Sequence, residues 1–227
     1  MASDPRTEAA ATRDQLLEVA ERLFAERGYD SVSVREITTE VGANVAAVSY
    51  HFGSKRDLYL ESVRRAMDSR QADEVWELLA NPPRSAVESA AVFVTFVRAL
   101  MQRMLSGPEP NRCSRLMLQE AAQPSEALDL IVTEFVLPHE RALEGLVRRI
   151  DPTADEDEVR TAARSLLAQP LHYLVFRAFV EEGSGPRFTE ERVIEKTADQ
   201  VVRVSLRGLG FTKARIDRAF ELAAQPS

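Results

Sequence analysis

Along most of the chain, apolar residues return every three or four positions, and each such stretch is closed by glycine, proline or a capping residue. That rhythm belongs to amphipathic helices, and it predicts about ten of them. The first spans about Thr12 to Arg27, with Leu16, Ala20, Leu23 and Phe24 on one face and Gly28 placed to end it with a left-handed residue. Ser33 and Glu36 form a capping box that opens a short second helix to about Val41, and Gly42 stops it. Asn44 is placed to cap a third helix reaching about His51. After Phe52 and Gly53, a second box, Ser54 with Asp57, opens a long fourth helix carrying Leu58, Tyr59, Val63, Ala66 and Met67, terminated by Asn81, Pro82 and Pro83.

The segment from Arg84 to Leu105 is apolar around most of its circumference, which predicts a helix buried on more than one side. A loop from Ser106 to Asn111 leads to a short helix, Arg112 to Ala122. The next runs from Pro124 to about Ile150, and Pro138 removes a backbone donor inside it, predicting a kink or break. Two long helices follow, Glu156 to Glu182, bent at Pro170, and Thr189 to Leu209, separated by Gly183, Ser184, Gly185 and Pro186. A last one, Lys213 to Ala224, carries Ile216 and Phe220. Strand-like alternation is nearly absent, and no repeat is evident, so the expected fold is all-α and not a solenoid.

Composition narrows the function. The longest apolar runs, such as Ala90–Val97 and Ile131–Pro138, fall far short of the roughly 20 residues a membrane span needs. The first residues include Asp4 and Glu8 and lead into no apolar stretch, so no secretory leader is expected and a cytoplasmic protein is. A single cysteine, Cys113, excludes an intrachain disulfide and a cysteine-rich zinc site. Neither a glycine-rich phosphate loop, a G-x-S-x-G elbow nor a metal signature is present, so neither an enzyme nor a metal or cofactor site is expected. The formal net charge of -7 repels phosphate at long range, so any affinity for nucleic acid must come from local placement of Arg, Lys and backbone donors.

Two short helices joined by a glycine turn, the second only about two turns long, describe a helix-turn-helix reader. Val34, Ile37, Val41, Val48 and Phe52 are spaced to tie these helices to their neighbours, leaving the opposite face of Asn44–His51 free for a major groove. The stretch from Leu16 to Ile37, LLEVAERLFAERGYDSVSVREI, and its continuation from Val41 to Leu58, VGANVAAVSYHFGSKRDL, resemble the opening of TetR-family repressors and their recognition helix with its exit. The segment Arg115 to Glu120, the pair Pro138 and His139, and the closing helices resemble the CecR-like branch.

That resemblance implies a three-helix DNA-binding head, residues 1–57, and a larger helical ligand-binding and dimerisation domain, residues 58–227. It implies that Tyr50 and Lys55 touch phosphates, that Ser33 and Arg35 approach the backbone, and that Ala47, Ser49 and His51 face base edges or nearby phosphates, with Asn44 also among the DNA-binding residues. Lys55 falls in the first turn of a helix, where its ammonium and the free N–H groups together suit a phosphate. Ala46 and Ala47 stand where many relatives carry glycine and threonine, so methyl contact and shape readout matter more.

The implied partners are double-stranded operator DNA, an unknown small-molecule effector and a second copy of the chain. Trp76, Phe93, Phe96, Met101, Met104, Leu116 and Phe135 are the bulky candidates for lining an effector cavity, with Arg115, Glu120 and His139 as polar candidates. Core packing explains the bulky groups equally well, and satisfied structural pairing explains the polar ones. Wide apolar stripes on Leu166–Phe179 and Val193–Leu206 suit a four-helix interface between two copies. A helical module that binds protein partners is the alternative to a DNA reader.

Overall fold

The computed structural model describes residues 5–68, 74–107, 110–183 and 187–225. Every regular element among them is helical, in agreement with the periodicity. The elements are α1 (Pro5–Arg27), α2 (Val34–Val41), α3 (Ala46–Phe52), α4 (Lys55–Asp68), α5 (Glu74–Ala80), α6 (Ala86–Leu105), α7 (Arg112–Ala122), α8 (Glu126–Ile131), α9 (Leu137–Ile150), α10 (Glu156–Val175), α11 (Arg177–Glu182), α12 (Glu191–Gly208) and α13 (Lys213–Ala223).

Several boundaries differ from the sequence reading for identifiable reasons. Helix α1 begins at Pro5 rather than Thr12, since proline suits a first helical turn. The long helix expected from Ser54 to Asn81 is described as α4 and α5, on either side of residues 69–73, which lie outside the described residues. Between α8 and α9 the turn Val132–Val136 is a π-helix. Pro138 supplies no N–H to the Glu134 carbonyl, and widening the preceding turn accommodates that loss without ending the helical path. The bend expected at Pro170 leaves α10 continuous; the interruption comes at Phe176, which leaves helical geometry at φ -103°, ψ 17°.

Packing divides the chain into two compact units, one of Met1–Gln71 with Arg112–Phe135, the other of Ala72–Asn111 with Val136–Ser227. In the first, α1 packs on α2, α4 and α7, and α4 also packs on α8. Leu16, Ala20, Phe24, Val32, Ile37, Val48, Leu58 and Val63 are buried there. Glu21 of α1, also buried, receives Arg65 of α4 and Arg112 of α7, each at 3.3 Å, so one carboxylate joins three helices. A cut between residues 57 and 58 would fall inside α4, whose packing partners lie on both sides of it in sequence.

Helix α6 is the centre of the second unit, contacting α5, α9, α10, α12 and α13. That explains its all-round apolar character: Phe93, Val94, Val97, Met101, Met104 and Leu105 are all fully enclosed. Its polar side is held by a two-pronged pair, Arg98 to Asp199 at 2.7 and 3.0 Å. Arg177 of α11 is buried yet satisfied, donating to the Leu105 and Gly107 carbonyls at 3.1 and 2.8 Å and to Glu181 at 3.1 Å. It thereby helps cap the end of α6, where Asn111 also donates to the Arg103 carbonyl at 2.7 Å.

Candidate nucleic-acid interface

Helix α2 starts where the sequence placed it. The Ser33 hydroxyl accepts from the Glu36 N–H at 3.2 Å, and the Glu36 carboxylate accepts from the Ser33 N–H at 2.8 Å. Gly42 ends the helix at φ 74°, a conformation that a side chain would strain. Arg27 of α1 donates to Glu36 at 2.7 Å and to the Ser31 carbonyl at 3.1 Å, while Arg22 pairs with Glu40. These pairs fasten α2 to α1 across solvent and leave Arg35 exposed.

The Glu36 carboxyl is held down at about 2 from its ordinary 4.5, first by Arg27 and then by the Ser33 donors. A depressed carboxyl contributes stability that is present above the ordinary value and lost as pH falls through the depressed one. Glu36→Gln is therefore expected to lower the unfolding midpoint at neutral pH. That gap should close between about pH 4.5 and pH 2 as the wild-type carboxyl protonates, which thermal melts across that range measure.

Helix α3 begins one turn after α2 ends. Asn44 was expected to cap it, and its Oδ1 does accept from the Ala46 N–H at 2.9 Å, although Val45 occupies the boundary position. Val48 and Phe52, four apart, are buried, and Arg13 lies over the Phe52 ring at 5.0 Å. On the opposite face Ala46, Ser49 and Tyr50 are exposed, Tyr50 to 81 %. Ala47 and His51 lie half-buried at the edge, the His51 ring against Tyr50 at 4.8 Å. Ser33 is exposed too, with its hydroxyl engaged in the cap.

Lys55 opens α4, capped by Ser54, whose hydroxyl accepts from the Asp57 N–H at 3.1 Å. An ammonium is disfavoured at a helix N-terminus, where the backbone dipoles present positive charge. Here it rests over the face of Tyr29, 4.2 Å from the ring centroid, which offsets part of that repulsion. Tyr29 was not among the sequence candidates, and only the fold brings it beneath Lys55. Ser33 and Arg35 at the start of α2 and Tyr50 on α3 are exposed, and Lys55 at the start of α4 is half-buried.

The ten cavity candidates divide between the units. Trp76, Phe93, Phe96, Met101, Met104 and His139 fall in the second. There the His139 ring lies 4.3 Å from Trp76 and 6.3 Å from Phe96, whereas Phe93, Met101 and Met104 are enclosed in the α6 core. Arg115, Leu116, Glu120 and Phe135 fall in the first. Glu120 is 3 % exposed, and both its oxygens already accept hydrogen bonds from Tyr59 and Ser125. Among the described residues, no cluster of His, Cys, Asp and Glu is arranged to hold a metal ion. No described helix is long and apolar enough to cross a membrane.

A two-turn helix with one face buried and the other carrying exposed Tyr50, flanked by a capped helix before and a lysine after, has the form of a helix-turn-helix reader. The sequence matches the family described as bacterial regulatory proteins, tetR family, over residues 16–62. Residues 91–209, about half the chain, match the C-terminal domain of the HTH-type transcriptional dual regulator CecR. The chain belongs to the TetR family of transcriptional regulators, in its CecR-like branch.

The HTH-type transcriptional dual regulator CecR of Shigella flexneri is 30 % identical over 134 residues, covering 56 % of this chain and 58 % of that protein. The HTH-type transcriptional repressor AcnR of Corynebacterium diphtheriae is 36 % identical over 87 residues, covering 34 % and 45 %. The chain thus spans about half the length of these relatives. Among solved structures, AibR in complex with isovaleryl coenzyme A and operator DNA superposes with a TM-score of 0.60 at 18 % identity, covering 83 % of this chain and 97 % of that one. At that identity the likeness supports the fold.

Proposed function

We propose that the protein is a cytoplasmic, non-catalytic, homodimeric repressor that binds operator DNA through α3 and is released by a small-molecule effector. The observation that carries the reading is Tyr50, 81 % exposed on the free face of a helix whose other face is fixed by Val48 and Phe52. In this reading residues 1–57 act as the head and residues 58–227 serve effector binding and dimerisation. Ser33, Arg35, Tyr50 and Lys55 meet phosphates, while Asn44, Ala47, Ser49 and His51 lie toward base edges.

Dimerisation supplies two heads for half-sites about 34–36 Å apart, one helical turn of DNA. Its surface is the side of α10 and α12 that carries a groove lined by Gln169, His172, Tyr173, Gln200, Val201 and Val204. Val175 of α10, Phe176 at the break after it, Phe179 of α11 and Val204 of α12 are exposed, a concentration of apolar area that a second copy would cover. The effector site is assigned to the aromatic group of Trp76, Phe96 and His139, supported by their close ring contacts. Effector binding favours a dimer conformation whose heads no longer match the operator.

Binding of the full chain to a duplex from upstream of its own gene, followed by anisotropy at several salt concentrations, tests this. Affinity should fall steeply with salt, and Lys55→Ala should weaken all sequences alike while lowering the log–log slope by about 1 for each lost phosphate contact. Ala47 or Ser49 substitutions should instead change sequence preference. Weakening without any change of slope from Lys55→Ala, or salt-independent binding, would count against the assignment.

A further inference from the structure

Behind Lys55 runs an unbroken series of contacts inside the first unit. Tyr29, beneath the Lys55 ammonium, lies 4.9 Å from the Tyr59 ring, and Phe24 closes the cluster at 6.0 Å from Tyr29 and 5.0 Å from Tyr59. The Tyr59 hydroxyl donates to Glu120 Oε1 at 2.6 Å. Glu120 also accepts from the Ser125 N–H at 2.9 Å and from the Ser125 hydroxyl at 2.8 and 2.9 Å. Ser125 is the cap of α8, so the series ends in the α7–α8 turn.

A carboxylate this deeply enclosed is stable only while donors face both oxygens, so Glu120, Tyr59 and Ser125 hold one another in a single arrangement. Burial and the adjacent Glu120 push the Tyr59 phenol well above its ordinary range, which keeps it a donor at physiological pH. With its hydroxyl pinned, the Tyr59 ring cannot tilt freely, and Tyr29 packs against it. Tyr29 in turn offers its face to an ammonium that the helix end would otherwise repel.

We infer that Glu120 is a positioning residue for DNA binding, acting through Tyr59 and Tyr29 to hold Lys55 at the phosphate backbone. This rests on the operator-binding reading. It makes the α7–α8 turn part of the DNA-binding apparatus although it touches no DNA, and it gives Glu120 a role distinct from an effector contact. Arg56 of α4 pairs with Glu126 of α8, and Arg64 of α4 with Glu134 of the following π-helical turn, which supports the same coupling at the surface.

The test compares full-length wild type with Tyr59→Phe, Glu120→Gln, Lys55→Met and the Tyr59→Phe/Lys55→Met double variant on the upstream duplex, from low to high potassium chloride. Lys55→Met should weaken binding about tenfold and lower the salt slope by about 1 per head. Tyr59→Phe, which keeps the ring, should weaken binding about three- to fivefold with a lowered slope, and should add nothing in the Lys55→Met background. A purely structural role would reduce the folded fraction and leave the slope unchanged.

The inference is overturned if Tyr59→Phe binds with wild-type affinity and slope, or if its effect adds fully to that of Lys55→Met. Glu120→Gln should follow Tyr59→Phe, and if it fails to fold, Tyr59→Phe alone decides. Absence of salt-dependent binding by the unaltered protein overturns the operator reading itself and this role with it, whereas loss in Lys55→Met alone overturns only this role.

Discussion

Val204→Asp is expected to leave the protein monomeric and to weaken operator binding by about 10²- to 10⁴-fold, the range that linking two weak sites commonly supplies. Val204 is 58 % exposed on α12 and belongs to the same groove as Val201 and Tyr173. In a twofold interface each substitution enters twice, so two carboxylates would be buried without partners at one seam. The isolated chain loses almost nothing, since the side chain already faces water. Sedimentation should therefore report a halved mass at unchanged helicity, and anisotropy a matching loss of affinity. A variant that stays dimeric would place the interface elsewhere.

Phe24→Ala is expected to destabilise the first unit by about 3–5 kcal/mol, the usual cost of emptying a buried phenylalanine site. Phe24 is fully buried, edge-on to Tyr59 at 5.0 Å, at the point where α1 meets α4. A domain is stable by only about 5–15 kcal/mol, so this loss would bring the head close to unfolding at ordinary temperature. Urea denaturation monitored by circular dichroism should show the transition moving to much lower denaturant. The exposed Val45, replaced by alanine, serves as the control and should change stability by less than about 0.5 kcal/mol. A shift below about 1 kcal/mol for Phe24→Ala would show that the aromatic cluster is not what holds α1 to α4.

The head was the most legible part of the chain because its punctuation is local. Ser33 with Glu36 closes a hydrogen-bonded ring across four residues, and Gly28 and Gly42 end helices with positive φ, so each signal needs only its immediate neighbours. Val48 and Phe52 fell on the buried face as their four-residue spacing required. The all-round apolar character of Arg84–Leu105 likewise announced a central helix, which α6 is.

The candidates for an effector cavity were less legible, because a bulky side chain in an apolar run reads the same whether it lines a cavity or fills a core. Phe93, Met101 and Met104 lie enclosed in the α6 core, while Trp76, Phe96 and His139 meet ring to ring. Glu120 reads in sequence as a polar cavity candidate or a satisfied structural acid, and not as a partner of Tyr59. Its partners Tyr59 and Ser125 lie 61 and five residues away, and nothing in the spacing pairs them.

By itself the sequence determined the helices of the head, their caps and stops, and the family to which the chain belongs, because those signals operate over a few residues. Only the tertiary structure decided that α7 and α8 pack with α4, that Tyr29 comes to lie under Lys55, and that the buried carboxylate of Glu120 closes the series behind it. Such contacts join residues far apart in the chain, and they are selected by mutual burial and by the need to satisfy every polar group taken out of water.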